Sequence, residues 1–333
     1  MTFSPGAIAL LTGALAGAAA TLGARSFAWR FGIVNQPNPI VPQHTRPIAY
    51  LGGLAIFCGA AVALAVAHLA ASVGRATLVG AALYVALGTL DDVRPLAPLP
   101  KLCLQIAIAA LAVALGLTRA ITGVAALDGV LSALWIVAVV NAFNLTDVCD
   151  GLVGGIGAVS LLGASLLFAG GGAALAVAGA SVGFLLWNRP PASIFLGDGG
   201  SHLLGFALAA TTLLDARASL PACALLAGVP LFELCFLVVV RARKGIPWWR
   251  GSPDHFALRL QAAGLSKWRT DGIAWIATAL LVVIARLLDT QRTLPRVAIL
   301  IAICALALVA ARLLLRWEVR RSPPAPSLTP PVH

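Results

Sequence analysis

The segment NAFNLTDVCDGL, residues 141–152, sets two asparagines and two aspartates three residues apart: Asn141, Asn144, Asp147 and Asp150. It follows the apolar run LDGVLSALWIVAVV, and ionisable side chains at a bilayer are costly enough to mark function. Two further acidic stretches accompany it, LDDVRP with Asp91 and Asp92, and IFLGDGGS with Asp198. Clustered carboxylates repel one another, which raises some of their pKa values unless a cation neutralises them. No lysine or arginine lies between Asp147 and Asp150. A hard divalent cation suits such a set, because Mg²⁺ takes oxygen ligands and completes its shell with water and substrate phosphate. The chemistry indicated is phosphoryl transfer at a membrane surface.

Taken singly, LDD also reads as a solvated span end, and GDGGS as a turn of the kind Gly and Asp favour. The 141–152 segment resists the plain reading, since four amide or carboxylate side chains at a membrane exit are not ordinary loop composition. Helical steps of three residues drift by about 60°, so Asn141 and Asp150 would face opposite sides of one straight helix. The four converge only if the helix ends within the motif, and Gly151 marks the stop. Asn141 and Asn144 are therefore expected near the last helical turn, with Asp147 and Asp150 on a loop curling back over the site. In KGIPWWRGSPDHFALRL, His255 and Arg259 are at i and i+4. On a helix they share a face and could grip a phosphate. The plainer alternative is an interfacial helix whose arginine meets headgroups.

The elements that carry these residues are read from composition. The chain has 333 residues, 60% hydrophobic and 11% charged, far below the roughly 25% charge of soluble domains. This predicts an all-α polytopic membrane protein. Eleven apolar candidates for spans follow: about 5–27, 49–71, 76–90, 101–117, 129–143, 153–169, 171–188, 203–214, 221–240, 272–289 and 295–316. With residues 28–48 in the cytoplasm, 17 of the 23 lysines and arginines fall on the cytoplasmic side. The positive-inside rule then gives N-terminus out and C-terminus in. The same assignment brings the acidic loops to that face, and it used no acid. Residues 1–320 are expected to form a single membrane-embedded domain, and the proline-rich 321–333 a disordered tail.

The net charge of +11 fits basic loops facing an anionic leaflet rather than nucleic acid, and Trp248 and Trp249 read as interfacial anchors. The six cysteines include no C-x-x-C pair, so neither a disulfide framework nor a zinc site is implied. A transporter is the rival class, because Glu233 in VPLFELCF is an intramembrane acid. Asp91, Asp92, Asp147, Asp150, Asp198 and Asp254 instead gather at one face, whereas a transporter would line a path through the midplane.

The motifs together resemble the polyprenyl-phosphate N-acetylhexosamine-1-phosphate transferases, the WecA-like and MraY-like enzymes. LDDVRPLAPLPKL looks like the family's Asp-Asp loop. NAFNLTDVCDGL looks like its N-x-x-N-x-x-D-G-x-D-G-L motif, with Val148 where glycine is usual. IFLGDGGSHLLGF is similar to F-x-G-D-x-G-S, and PQHTRPIAYLGG, which holds His44 and Arg46, to the first cytoplasmic loop. One departure stands out: of the histidine-rich element of the last large loop this chain keeps His255 but has Ala257 and Leu258.

The resemblance implies transfer of a UDP-linked N-acetylhexosamine 1-phosphate, N-acetylglucosamine first, to undecaprenyl phosphate, with release of UMP. It would act at the bacterial inner membrane and initiate a cell-envelope polysaccharide such as lipopolysaccharide, with a homodimer allowed. The muramyl-pentapeptide transferase of peptidoglycan synthesis is the alternative within the family. The implied cofactor is Mg²⁺ or Mn²⁺ on Asn144 and Asp198. Asp91 and Asp92 would activate the acceptor phosphate or bind metal, with His255 as a further catalytic residue. Asn141, Asp147, Asp150 and Arg259 would hold the nucleotide sugar, and Phe195 would stack on uracil.

Overall fold

The computed structural model describes residues 3–37, 46–168, 171–215, 219–247, 249–290 and 293–319. His44, Trp248 and the 321–333 tail lie outside them. The chain runs through α1 (Pro5–Phe31), strands β1 (Val34–Asn35) and β2 (Ile48–Ala49), α2 (Gly52–Val66), α3 (Arg75–Val93), α4 (Pro98–Ala114), α5 (Ala125–Thr146) and α6 (Leu152–Leu167). It continues through α7 (Gly172–Asn188), α8 (Gly197–Leu214), α9 (Leu220–Leu226), α10 (Gly228–Arg243), α11 (Phe256–Ala262), α12 (Lys267–Thr290) and α13 (Thr293–Leu314).

All eleven apolar segments coincide with helix, but not with eleven uniform spans. Helices α1, α3, α5, α12 and α13 are individually long and apolar enough to cross a membrane, and α2, α4, α6 and α7 are apolar but shorter. The ninth segment is broken into α9 and α10, which meet at 80°. Pro230 explains the break: it lacks the N–H that a continuing helix would bond, and its ring clashes with the carbonyl four residues back. Large side chains such as Leu166 (77% exposed), Leu15 (74%) and Ile301 (64%) point outward, as they do where lipid is the solvent. The chain is a multi-pass, helical membrane protein.

Two departures shape the site. The all-α reading omitted a short antiparallel β1–β2 hairpin, whose Ala49 also bridges to Ile194. Phe195 N–H donates to the Ala49 carbonyl (2.8 Å), so residues 48–50 and 194–196 form a small extended platform. The 203–214 segment, short as a span, starts earlier than its apolar run: the GDGGSH stretch is already the first turns of α8. That helix is apolar or small on nearly all sides and buried along almost its whole length, the pattern of a helix enclosed by others. It packs on α2, α3, α5 and α6. A Cβ at Gly53 of α2 or Gly88 of α3 would collide with the backbone of residues 198–200. Glycine at both positions lets α2 and α3 close on the first turn of α8.

Candidate active site

A cavity of about 530 Å³ opens where the platform, the end of α5 and the start of α8 meet. Asp92, Asp147, Asp150 and Asp198 all line it, with Tyr50, Phe195, Arg46 and Lys267. The expected break in the 141–152 segment is present. Helix α5 ends at Thr146, Asp147 is its C-terminal cap, and Gly151 takes φ +78° before α6 begins. Asp147 and Asp150 therefore sit on the loop that closes one side of the cavity.

Helices α3, α4, α5 and α8 are tied together by one ammonium. Lys101, in the first turns of α4, donates to Asp91 Oδ2 (2.9 Å), to Asn144 Oδ1 (3.3 Å) and to Asp198 Oδ2. Asn144 Nδ2 in turn donates to Asp198 Oδ1 (2.8 Å) and Ser201 Oγ (3.1 Å). Three oxygens from three helices thus converge on a single cationic head. Asp92 has a different partner. Its Oδ1 accepts from Asp198 N–H (2.8 Å) and its Oδ2 from Gly199 N–H (3.3 Å), so it caps the start of α8 from a neighbouring helix, where an anion is favoured. Gly197 beside it has φ +71°, and a Cβ there would strike the Asp92 carboxylate.

Electrostatics in the cavity are unbalanced toward negative. Burial, then the nearby Asp198, Asp92 and Asp150, pushes the Asp147 carboxyl well above its ordinary range. Its side chain has no hydrogen-bond partner among the described residues. Tyr50 is raised for the same reasons, burial first and then Asp92, Asp198 and Asp147. Asp150 is better compensated, with Lys267 Nζ at 3.0 Å and the Ala192 N–H at 3.3 Å. Cys149 also lines the cavity, but burial pushes its thiol up to about 12. It is a neutral wall residue at pH 7 and no thiolate nucleophile. Phe195 meets Tyr50 edge-on with centroids 6.2 Å apart, giving the cavity an aromatic wall beside its acids.

Three residues expected at the site are placed elsewhere. Asn141 lies behind the cavity wall, its amide donating to Gln105 Oε1 and the Val137 carbonyl (both 2.8 Å). His255 precedes α11 and pairs through Nδ1 with Glu233 Oε1 at 2.7 Å. Arg259 is 1% exposed. Its guanidinium donates to Asp254 Oδ1 (2.5 Å), the Asp254 carbonyl (3.0 Å) and the carbonyls of Leu314 (3.3 Å) and Trp317 (2.8 Å). A guanidinium whose donors are spent on the end of α13 is not placed to grip a phosphate. The i, i+4 reasoning put the two residues on one helical face, yet His255 is the residue before the helix and the shared face turns inward. Glu233 likewise holds the start of α11, accepting from Phe256 N–H (3.2 Å).

This gives Arg259 a structural role with its own test. Burial alone would raise the Asp254 carboxyl, but Lys244 and Arg259 hold it below the ordinary carboxylate range. The pair therefore adds stability above the unfolded pKa of about 4 and loses it as pH falls through the lowered folded value. Removing one partner of a buried pair costs about 3–5 kcal/mol. Arg259→Ala is expected to lower the thermal midpoint in detergent sharply and to leave the donor KM of the surviving folded fraction near wild type. A raised donor KM with an unchanged midpoint would return Arg259 to the site.

Sequence reasoning missed Lys101, Lys267, Tyr50 and Gln105. Lys101 did leave a signal. It sits in the first turns of a helix that opens with Pro98, where the helix dipole disfavours a cation. A lysine kept there implies carboxylates supplied from elsewhere in the fold.

Comparison with known proteins gives the family. The family model for "Glycosyl transferase family 4" matches residues 74–215, which run from α3 through α8 and hold every carboxylate of the cavity. A Bacillus subtilis protein described as "Probable undecaprenyl-phosphate N-acetylglucosaminyl 1-phosphate transferase" is 30% identical over 263 residues, 73% of each chain. A Microcystis aeruginosa phospho-N-acetylmuramoyl-pentapeptide-transferase is 36% identical over 155 residues, 42% of each chain. A second such transferase, from Trichormus variabilis, is 44% identical over 93 residues, 26% of this chain and 25% of its own. The similarity spans most of the chain in the first case and a smaller share in the others, and it places the chain in glycosyl transferase family 4, among the polyprenyl-phosphate sugar-1-phosphate transferases.

Proposed function

We propose that the chain transfers N-acetylglucosamine 1-phosphate from its UDP conjugate to undecaprenyl phosphate, releasing UMP and leaving an undecaprenyl-diphospho-sugar that initiates a cell-envelope polysaccharide. The observation that carries this reading is the acidic cavity beside an aromatic wall, next to which Lys101 joins Asp91, Asn144 and Asp198 from three helices. The acceptor phosphate attacks the β-phosphorus of the nucleotide sugar, the bond to the UMP oxygen breaks, and the acceptor keeps its lipid. Asp92 and Asp198 face the reacting groups. Asp91 faces Lys101 and acts through it as a positioning residue. Asp147 and Asp150 lie toward the aromatic wall, where Phe195 offers a surface for the uracil ring.

Among the described residues no three carboxylate, imidazole or thiol groups close on one point. The donor set nonetheless fits a hard cation, since Mg²⁺ is held by one or two carboxylates with water and substrate phosphate. The oxygens of Asn144 and Asp198 already converge on a cation, that of Lys101. We assign them to Mg²⁺ or Mn²⁺, whose chemistry is to offset charge on the two approaching phosphates. Lys101 then needs only to turn toward substrate.

The muramyl-pentapeptide alternative is disfavoured by α11. Ala257 and Leu258 are buried at 0% and 2% exposure, so the positions that would carry further histidines face the protein interior. The test is direct: purified protein in detergent, UDP-N-acetylglucosamine and undecaprenyl phosphate should give UMP, and UDP-N-acetylmuramoyl-pentapeptide should not. Release from the pentapeptide donor alone would reverse the choice, and detergent removes the two compartments that a transporter needs.

The orientation, N-terminus out with eleven crossings at the bacterial inner membrane, is part of this proposal and rests on the charge asymmetry of the loops. Single cysteines placed at Arg94, Arg189 and Lys244 should be labelled from the cytoplasmic side only. Labelling of Arg94 and Lys244 positions from opposite sides would end both the topology and a site built from their loops.

A further inference from the structure

A second cavity of about 350 Å³ adjoins the acidic one and shares Arg46, Ile48 and Ala192 with it. It has the opposite character. Arg25, Trp29 and Arg46 line it, and no carboxylate among the described residues does. Arg25 Nε is buried and has no hydrogen-bond partner among the described residues. A buried charged donor without a partner among the described residues is costly, and an anionic ligand in this cavity would supply one. Neither arginine enters an ion pair among the described residues.

The location says where that acceptor comes from. The cavity lies against the last turns of α1, a helix long and apolar enough to cross a membrane. Trp29 beside it is 49% exposed, and Phe27 and Phe31 are 50% and 61% exposed. An aromatic cluster at the end of a span sits at headgroup depth. A ligand there can keep its chain in lipid and its head between the arginines.

We propose that this cavity is a docking subsite for the phosphate monoester headgroup of a long-chain lipid, the acceptor, held by Arg25 and Arg46 at the rim of the acidic cavity. The inference rests on the transferase reading. A monoester phosphate carries about −1.5 to −2 at neutral pH, which two guanidinium groups match, whereas a diester phospholipid carries a single charge. The subsite also answers a problem set by the main cavity: an anionic lipid head must approach a wall of carboxylates. Fixed cations at the rim offset that repulsion before the head moves inward, and Arg46, which lines both cavities, is placed to accompany it.

The test uses the full chain in detergent and reads lipid retention by native mass spectrometry, with undecaprenyl phosphate, dioleoyl phosphatidylglycerol and inorganic phosphate as separate probes. Arg25→Gln is expected to weaken retention of undecaprenyl phosphate about tenfold, the effect of losing one charge-assisted contact, with Arg25→Lys recovering most of it. The acceptor KM should rise by a similar factor while the donor KM stays in place. Arg46 is exposed, so Arg46→Gln repeats the measurement where folding is not at issue. Unchanged retention in both glutamine variants overturns the subsite. So does displacement of undecaprenyl phosphate by equimolar phosphatidylglycerol or inorganic phosphate, which would make the cavity a general anion or headgroup contact. A wild-type protein that retains the lipid through Arg25 yet releases no UMP from any UDP-N-acetylhexosamine sinks the transferase reading and leaves the lipid-phosphate subsite standing.

Discussion

Asp198→Asn is expected to cut kcat by at least about 10²–10³-fold, the scale of removing one preorganised electrostatic contact to the reacting charges. The substitution keeps volume and one carbonyl oxygen. Its Oδ1 can still accept from Asn144, which now bonds Asp198 at 2.8 Å. What disappears is the negative charge, and with it the ligand assigned to the divalent cation. The new amide also faces the Lys101 ammonium as a donor facing a donor. The side chain is 27% exposed, so the lost ion pair is partly screened by water and the fold should survive with a modest shift in thermal midpoint. UMP release titrated against Mg²⁺ is the measurement. Normal turnover at limiting Mg²⁺ would remove Asp198 from the metal. A loss that excess Mg²⁺ restores would keep it there as one of several ligands.

The legible part of this site was the part written in local sequence. Four polar residues at a spacing of three cannot share a straight helical face, and Gly151 follows them; the end of α5 at Thr146 follows from those two facts. The apolar runs likewise told where helices lie, because lipid-facing and buried positions are both apolar in a membrane protein. That same uniformity hid the rest. Hydropathy could not show that α8 is enclosed and begins at Gly197, since glycines read as a turn until neighbouring helices close on them. It could not show the 80° bend before α10, which is set by the missing N–H of Pro230 and not by hydropathy. The inward turn of Arg259 was illegible for another reason: its partners at Leu314 and Trp317 are 55 and 58 residues away. The partners of Lys101 were illegible for the same reason, since Asn144 and Asp198 are 43 and 97 residues away.

Lys101→Met should be as damaging to turnover as Asp198→Asn, and for a separable reason. Among the described residues Lys101 alone is bonded to Asp91, Asn144 and Asp198 together, so methionine, of similar length, removes the charge and leaves two carboxylates facing each other. Such a pair relieves itself by taking up a proton or a cation. If Lys101 served only as a counter-ion, added Mg²⁺ could replace it, and turnover would recover at high metal. The geometry favours a second duty, because an ammonium on a long flexible stem can leave the carboxylates for a substrate phosphate, where it offsets charge as the two anions meet. Turnover should then fall by about 10²–10³-fold and stay low at any Mg²⁺ concentration. The double variant Lys101→Met, Asp198→Asn separates the two roles, since contacting residues depart from additivity when they act on each other. A double variant no worse than either single one would mean that the lysine and the aspartate act as one unit. Recovery of Lys101→Met by Mg²⁺ alone would reduce the lysine to a placeholder for the metal.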